Sequence, residues 1–237
     1  MKPNFFILAF LLAISSCKKT IINNDAIINN KPLSQKEQQA LSPEDVIKTL
    51  KEGNTIFVNS TITVRDNSID YRKSSIYQHY PEAVILSCID SRVPIEDIFH
   101  KGLGDLFVIR VAGNTVNEDV IGNLEFACEK NGSKVILILG HEYCSAIKSN
   151  LEGNTTGYTN TTLQRINPAI TQAKKVFKTN QSPRNPRFMD EISKQNVINS
   201  IKLIRQHSKI LNQLEKKNQI KIIGGIYDMK TGKVNFI

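Results

Sequence analysis

The sequence has no tryptophan, and phenylalanine and tyrosine bring the aromatic residues to only 7% of its 237 positions. It lacks any apolar run of the roughly 20 residues that a bilayer-spanning helix requires, which excludes a multi-pass membrane protein. Glycine is sparse, at 12 residues, which excludes a collagen-like chain. A hydrophobic content of 40% excludes a wholly disordered chain and suffices for one large domain. Internal repeats are absent. The pairs Gly102-x-Gly104 and Gly224-Gly225 complete no nucleotide fingerprint and read instead as turns and close packing. The formal charge is +9, from 31 basic and 22 acidic residues, but the basic residues are scattered in pairs such as Lys18-Lys19, Lys174-Lys175 and Lys216-Lys217 rather than gathered in one tract. With few aromatics and no nucleic-acid motif, no nucleic-acid partner is expected.

What is present begins with an address. Met1-Lys2 is followed by an apolar run from Phe5 to Ile14, the arrangement of a secretory signal. The run ends in Ile14-Ser15-Ser16-Cys17, which resembles the lipobox of bacterial lipoproteins. That resemblance implies a signal peptide over 1–16, a lipid-modified Cys17 as the first mature residue, and a protein anchored in the bacterial cell envelope facing the periplasm. Lys18 after Cys17 favours the outer membrane over the inner by the same resemblance. The alternative is a plain secretory signal with a chance cysteine. Residues 17–41 are polar and repetitive and are expected to form a flexible tether behind the lipidated cysteine.

From residue 42 to 237 the pattern is that of one domain. Ser42-Pro43-Glu44-Asp45 predicts a helix start, with serine as N-cap, proline at the first turn and acids beside it. Three β-branched runs follow, Ala83 to Cys88, Leu106 to Val111 and Lys134 to Leu139. Continuous rather than alternating apolar residues predict strands buried on both faces, as in a parallel sheet. Helical patterns at 117–130 and 143–151 separate and follow them, and longer ones cover 161–178 and 189–214. A fourth strand at 220–227 turns through Asp228 to Gly232 into a short edge strand at 234–237. The fold class is therefore α/β, a mostly parallel central sheet with an antiparallel C-terminal edge strand, flanked by helices.

Chemistry concentrates at two strand ends. Cys88-Ile89-Asp90-Ser91-Arg92 closes the first strand, and His141-Glu142-Tyr143-Cys144 follows the third. Ligands in open α/β sheets gather outside the carboxyl ends of strands where the winding reverses, so two thiols, an imidazole and a carboxylate can converge there. His141 and Cys144, three apart at a helix start, can face one point. Zinc suits such a set, and three protein ligands leave a fourth, catalytic position. A zinc ion with two thiolates is formally neutral and acidifies its water less than one held by neutral imidazoles, so extra help is needed. Asp90 is placed to accept the hydrogen bond of zinc-bound hydroxide. Arg92 is placed to grip Asp90 in a bidentate pair and keep it ionised and off the metal. Were that pair to break, Asp90 could become the fourth ligand and close the site.

These residues, in this order, resemble the β-class carbonic anhydrases. The likeness extends over 50–237 and includes Leu50 to Asn54, Ser87 to Pro94, Gly102 to Asp105, Arg110 to Asn114, Gly140 to Cys144, Tyr227-Asp228 and Thr231 to Val234. It implies one zinc per subunit on Cys88, His141 and Cys144, with Asp90 the switchable ligand and Arg92 its partner. It implies hydration of carbon dioxide to bicarbonate and a proton, and a homodimer or dimer of dimers with active sites at the dimer interface. Two rival readings stand beside it: hydrolysis of a carbon dioxide analogue such as carbon disulfide or carbonyl sulfide, and a zinc-stabilised lipoprotein without turnover.

The chain departs from the family pattern in three places. Ser145 replaces the usual glycine after the last metal cysteine, and His79 stands where many members place a substrate-side glutamine, with Gln78 one position earlier. No tryptophan is present to build the non-catalytic bicarbonate site of some members. The remaining candidates read as scaffold: Cys128 as inert core, His100 and His207 as packing or surface residues, and Glu142 as solvated rather than catalytic. A Cys88–Cys144 disulfide is the envelope-specific rival to metal ligation.

Overall fold

The structure is a computed structural model that describes residues 27–28, 32–59, 64–65 and 68–237. The expected signal peptide at 1–16, Cys17 and most of the stretch expected to be a tether lie outside the described residues.

Five strands form the main sheet: β1 (Ala83–Ser87), β2 (Leu106–Arg110), β3 (Val135–His141), β4 (Lys221–Tyr227) and β5 (Val234–Phe236). Their order is β2-β1-β3-β4-β5, parallel except for the antiparallel β4–β5 pair. The chain thus steps from β1 to one side and then crosses to the other, which puts the reversal of winding between the carboxyl ends of β1 and β3. Both of these strands are buried along their whole length. Their side chains alternate between two apolar layers. Val84, Leu86, Ile136 and Ile138 pack with Leu124, Val197 and Ile204 on one face, while Ala83, Ile85, Leu137 and Leu139 pack with Val46, Leu50 and Phe99 on the other. Each fully buried leucine or isoleucine stabilises the fold by about 1.5–3 kcal/mol.

Strand β2 corrects the expectation drawn from its composition. Leu106 to Ile109 are half-buried and Arg110 is exposed, because β2 is the sheet edge and, among the described residues, has a neighbouring strand on one side only. Its composition predicts burial on both faces, but a contiguous apolar run does not distinguish an edge from a centre.

The helices flank the sheet. The first, α1 (Gln35–Ala40), falls within the stretch expected to be a tether. A capping box between Ser34 and Glu37 starts it, and its Gln38 is buried, donating through Nε2 to the Pro81 and Asn131 carbonyls at 2.8 Å each. Polar composition hid this helix, since it docks by hydrogen bonds rather than by an apolar stripe. Next, α2 (Pro43–Asn59) begins at the expected N-cap, where Ser42 Oγ receives Asp45 N–H at 3.2 Å. It lies so close to α4 (Ile95–Ile98) that a Cβ on Gly53 would sit 1.9 Å from the Phe99 carbonyl oxygen. Between these come the short α3 (Ile69–Ser74), and after β2 α5 (Glu118–Glu125), whose last turn widens into a π-helix over Phe126–Lys130. Beyond β3 follow α6 (Ser145–Glu152), α7 (Gly157–Leu163), α8 (Asn167–Val176), α9 (Pro186–His207) and α10 (Lys209–Lys216). The single helix expected over 189–214 divides at Ser208, whose hydroxyl caps α10 by accepting from Leu211 N–H at 3.0 Å. No helix among the described residues is long and apolar enough to cross a membrane.

Candidate metal centre

The strand ends bring the metal-ligating side chains together at the switch point. The ligand atoms of Cys88, His141 and Cys144 all lie within 4.8 Å of one another, and all three residues are buried. Cys88 directly follows β1, and His141 is the last residue of β3. The pair His141 and Cys144 was expected to share a helix start. Instead a turn through Glu142 and Tyr143 joins strand to helix, with Tyr143 at φ +52° and Cys144 as the extended N-cap of α6. This left-handed turn, uncommon for a bulky side chain, folds Cys144 back towards His141. The Glu142 N–H fixes it by donating to the Tyr227 carbonyl at 3.1 Å.

The protonation pattern follows from the contacts. His141 Nδ1 lies 2.8 Å from the Glu142 carbonyl oxygen, which can only accept, so Nδ1 carries a hydrogen and Nε2 is the ring nitrogen left to serve as a metal ligand. That Nε2 is buried and has no hydrogen-bond partner among the described residues. The Cys144 S–H beside Cys88 favours the Cys88 thiolate and holds its pKa far below the ordinary thiol value, with His141 and the Gly113 and Asp90 N–H groups adding to the effect. The Gly113 N–H donates to Cys88 Sγ at 3.3 Å. Cys144 is pushed up in turn, by its hydrogen bond to Cys88 and by burial. Two buried sulfurs thus stand beside a buried imidazole nitrogen, the arrangement that a thiolate- and imidazole-seeking dication completes by displacing thiol protons. The donor set fits zinc.

Asp90 stands next to this cluster, with Oδ2 4.0 Å from His141 Nε2, and Arg92 holds it away. Arg92 Nε donates to Asp90 Oδ1 at 2.9 Å, Nη2 to Oδ2 at 2.8 Å, and the Arg92 backbone N–H to Oδ1 at 3.0 Å. Arg92 hydrogen bonding, opposed by burial, lowers the Asp90 pKa to about 2. Arg92 Nη2 also donates to the Tyr143 carbonyl at 3.1 Å, which ties the dyad to the turn that carries Cys144.

Sequence reasoning missed Arg110. From the edge strand it reaches across to donate to the Cys88 carbonyl at 3.0 Å, the Asp90 carbonyl at 3.4 Å and the Val93 carbonyl at 2.5 Å, so one guanidinium holds the whole Cys88–Val93 loop. Its only sequence signal was its position in the Arg110–Asn114 stretch. Other candidates contribute no atom to the cluster. His79 packs edge-on against Phe107 at 5.4 Å, and Ser145, exposed, opens α6. Cys128 is buried with its thiol pushed up to about 12 by burial, as an inert core residue should be. The close packing expected of Gly224 is observed, since a Cβ there would meet Val197 Cγ1 at 2.6 Å.

Comparison with known proteins agrees with this geometry. The family model described as carbonic anhydrase matches residues 83–234, more than half of the chain. A carbonic anhydrase of Mycolicibacterium smegmatis is 30% identical over 198 residues, which cover 81% of this chain and 92% of that protein. The β-carbonic anhydrase of Coccomyxa, solved in complex with acetazolamide, superposes with a TM-score of 0.62 at 26% identity, covering 70% of this chain and 75% of that one. One of two tetrameric β-carbonic anhydrases from Sordaria macrospora shares the fold at a TM-score of 0.62 and 21% identity, over 68% of this chain and 82% of that one. The chain belongs to the carbonic anhydrase family, in its β class.

Proposed function

We propose that this protein catalyses the reversible hydration of carbon dioxide to bicarbonate and a proton, with Cys88, His141 and Cys144 holding one zinc ion. The observation that carries the reading is the buried Cys88–His141–Cys144 cluster with a carboxylate gripped beside it rather than inside it. When bound there, zinc supplies a Lewis acid that acidifies water and so yields a nucleophile near neutral pH. The chain's own residues do the rest. Asp90, ionised at every working pH, offers a carboxylate oxygen that accepts a hydrogen bond from the reacting water and orients its lone pair. Arg92 keeps that oxygen at the edge of the site, and Arg110 fixes the backbone from which Asp90 projects. A purely structural zinc site has no use for such a dyad, which argues against the reading without turnover.

The assembly and the address belong to the same proposal. The open edge of β2 and the exposed apolar residues Ile76, Tyr77 and Phe126 fit a homodimer or a dimer of dimers. The Ile14-Ser15-Ser16-Cys17 sequence supports lipidation of Cys17 and a periplasm-facing anchor in the bacterial envelope. The test is a pair of proteins. The wild-type chain should bind one zinc and hydrate carbon dioxide in stopped flow. Asp90→Asn should keep its zinc and lose hydration by about 100-fold. Full activity in Asp90→Asn would remove Asp90 from the mechanism, and a zinc-loaded wild type that hydrates nothing would refute the function.

A further inference from the structure

One turn of α9 addresses both halves of the metal cluster. Its core-facing residues Ile192, Val197 and Ile204 are apolar and fully buried, yet Ser193 and Asn196 on the same side are also buried, at 2% and 3% exposure. A hydroxyl or amide at such depth is costly unless it is hydrogen-bonded, and an aliphatic side chain would serve packing at less cost. Both polar groups find backbone carbonyls of the ligand-bearing segments. Ser193 Oγ donates to the carbonyl of His141 at 3.0 Å. Asn196 Nδ2 donates to the carbonyl of Gly113 at 2.7 Å, and Gly113 is the residue whose N–H reaches Cys88 Sγ.

The close approach that makes this possible is written in the glycines. A Cβ at Gly140 would lie 2.9 Å from Val197 Cγ2 and 3.0 Å from Ser193 Oγ, so the bare α-carbon just before His141 lets α9 lie directly on β3. Gly113 is boxed as well, at φ +66° with room for no side chain, since a Cβ there would sit 2.7 Å from Ile166 Cδ1. Held at its carbonyl by Asn196, Gly113 keeps its N–H aimed at the Cys88 sulfur. We propose that Ser193 and Asn196 are positioning residues of the metal centre. Ser193 sets the backbone of His141, and Asn196 sets, through Gly113, the hydrogen bond to the Cys88 thiolate. Partners of this kind beyond the ligands govern metal affinity as well as reactivity.

The inference rests on Cys88, His141 and Cys144 being a zinc site, and the experiment separates the two. Zinc is loaded into the full chain, and its release to an excess of chromogenic chelator is timed. Cobalt(II)-substituted protein is read in parallel through its thiolate charge-transfer band. Ser193→Ala and Asn196→Ala should release zinc about 10–100-fold faster than wild type and shift the cobalt band. Ser193→Thr, which keeps the hydroxyl, should restore slow release. Ser200→Ala serves as the control: Ser200 is buried at 3% exposure further along α9, so its loss should lower the unfolding midpoint and leave zinc release unchanged. If an alanine variant fails to fold, Ser193→Cys, with a weak S–H donor of similar shape, should show an intermediate acceleration. Release from the folded Ser193 and Asn196 variants equal to that of Ser200→Ala would overturn the proposal. A wild-type chain that holds no zinc would overturn the metal site itself.

Discussion

Arg92→Ala isolates the dyad from the ligands. The substitution removes the bonds from Nε and Nη2 to Asp90, at 2.9 and 2.8 Å, and the bond from Nη2 to the Tyr143 carbonyl at 3.1 Å. A buried charge-assisted hydrogen bond contributes about 1.5–3 kcal/mol. The Arg92 side chain is 54% exposed, however, so solvent screening reduces the whole pair to roughly 1–2 kcal/mol. For a chain of this length that lowers the unfolding midpoint by about 2–8 °C. Activity should fall further than stability. Asp90 Oδ2 already lies 4.0 Å from His141 Nε2, and an untethered carboxylate is free to swing towards the Cys88–His141–Cys144 cluster and out of its hydrogen-bonding position. A misplacement of about 1 Å costs on the order of 100-fold in rate. Arg92→Lys, which keeps charge but loses the planar fork, should fall between.

The same variant carries a pH signature with a definite sign. The pKa of Asp90 is lowered to about 2 in the folded protein, chiefly by Arg92, and so lies below that of an unfolded aspartate. Its contribution to stability is therefore complete above about pH 5 and is lost as the pH falls towards 2. Thermal unfolding of metal-free wild type and Arg92→Ala between pH 7 and 3 should show the midpoints converging at the acid end. Parallel curves at all pH values, together with unchanged hydration by the zinc-loaded variant, would refute the role given to Arg92.

Four further substitutions test other parts of the structure. Gly53→Ala gains about 1 kcal/mol of helix propensity but drives a Cβ into the Phe99 backbone, so a net loss of about 2–3 kcal/mol should appear in urea unfolding. Cys88→Ser should abolish stoichiometric zinc binding by elemental analysis while Cys128→Ser leaves it intact, since Cys128 is buried in the core layer of Leu124 and Ile136. Cys17→Ser should eliminate incorporation of labelled fatty acid and release the protein from the membrane fraction of the expressing bacterium. Persistent membrane retention would exclude Cys17 as the anchor.

The sheet and the ligands were legible in the sequence because their signals are local. Fully buried strands are short β-branched runs, and Cys88, Asp90 and Arg92 fall within five residues of one another, as His141 and Cys144 fall within four. What sequence reading missed depends on partners far along the chain. The edge position of β2 is a property of strand order, and its composition matches that of a central strand. Helix α1 is held by Gln38 against Pro81 and Asn131, contacts that no periodicity records. Arg110, Ser193 and Asn196 are ordinary polar residues in sequence, and each acquires its role only when the fold sets it against a carbonyl of a ligand-bearing segment. The helix predicted from residue 143 begins two residues later, at Ser145, since the left-handed Tyr143 has no compositional mark.

The most direct test is stopped-flow hydration of carbon dioxide by the purified chain from pH 6.5 to 9, with zinc content measured on the same samples. One zinc per chain is expected, with a rate that rises with pH while Asp90 stays ionised throughout. One zinc per chain with no hydration at any pH would contradict the assignment, leaving a carbonic anhydrase fold and metal centre without the reaction.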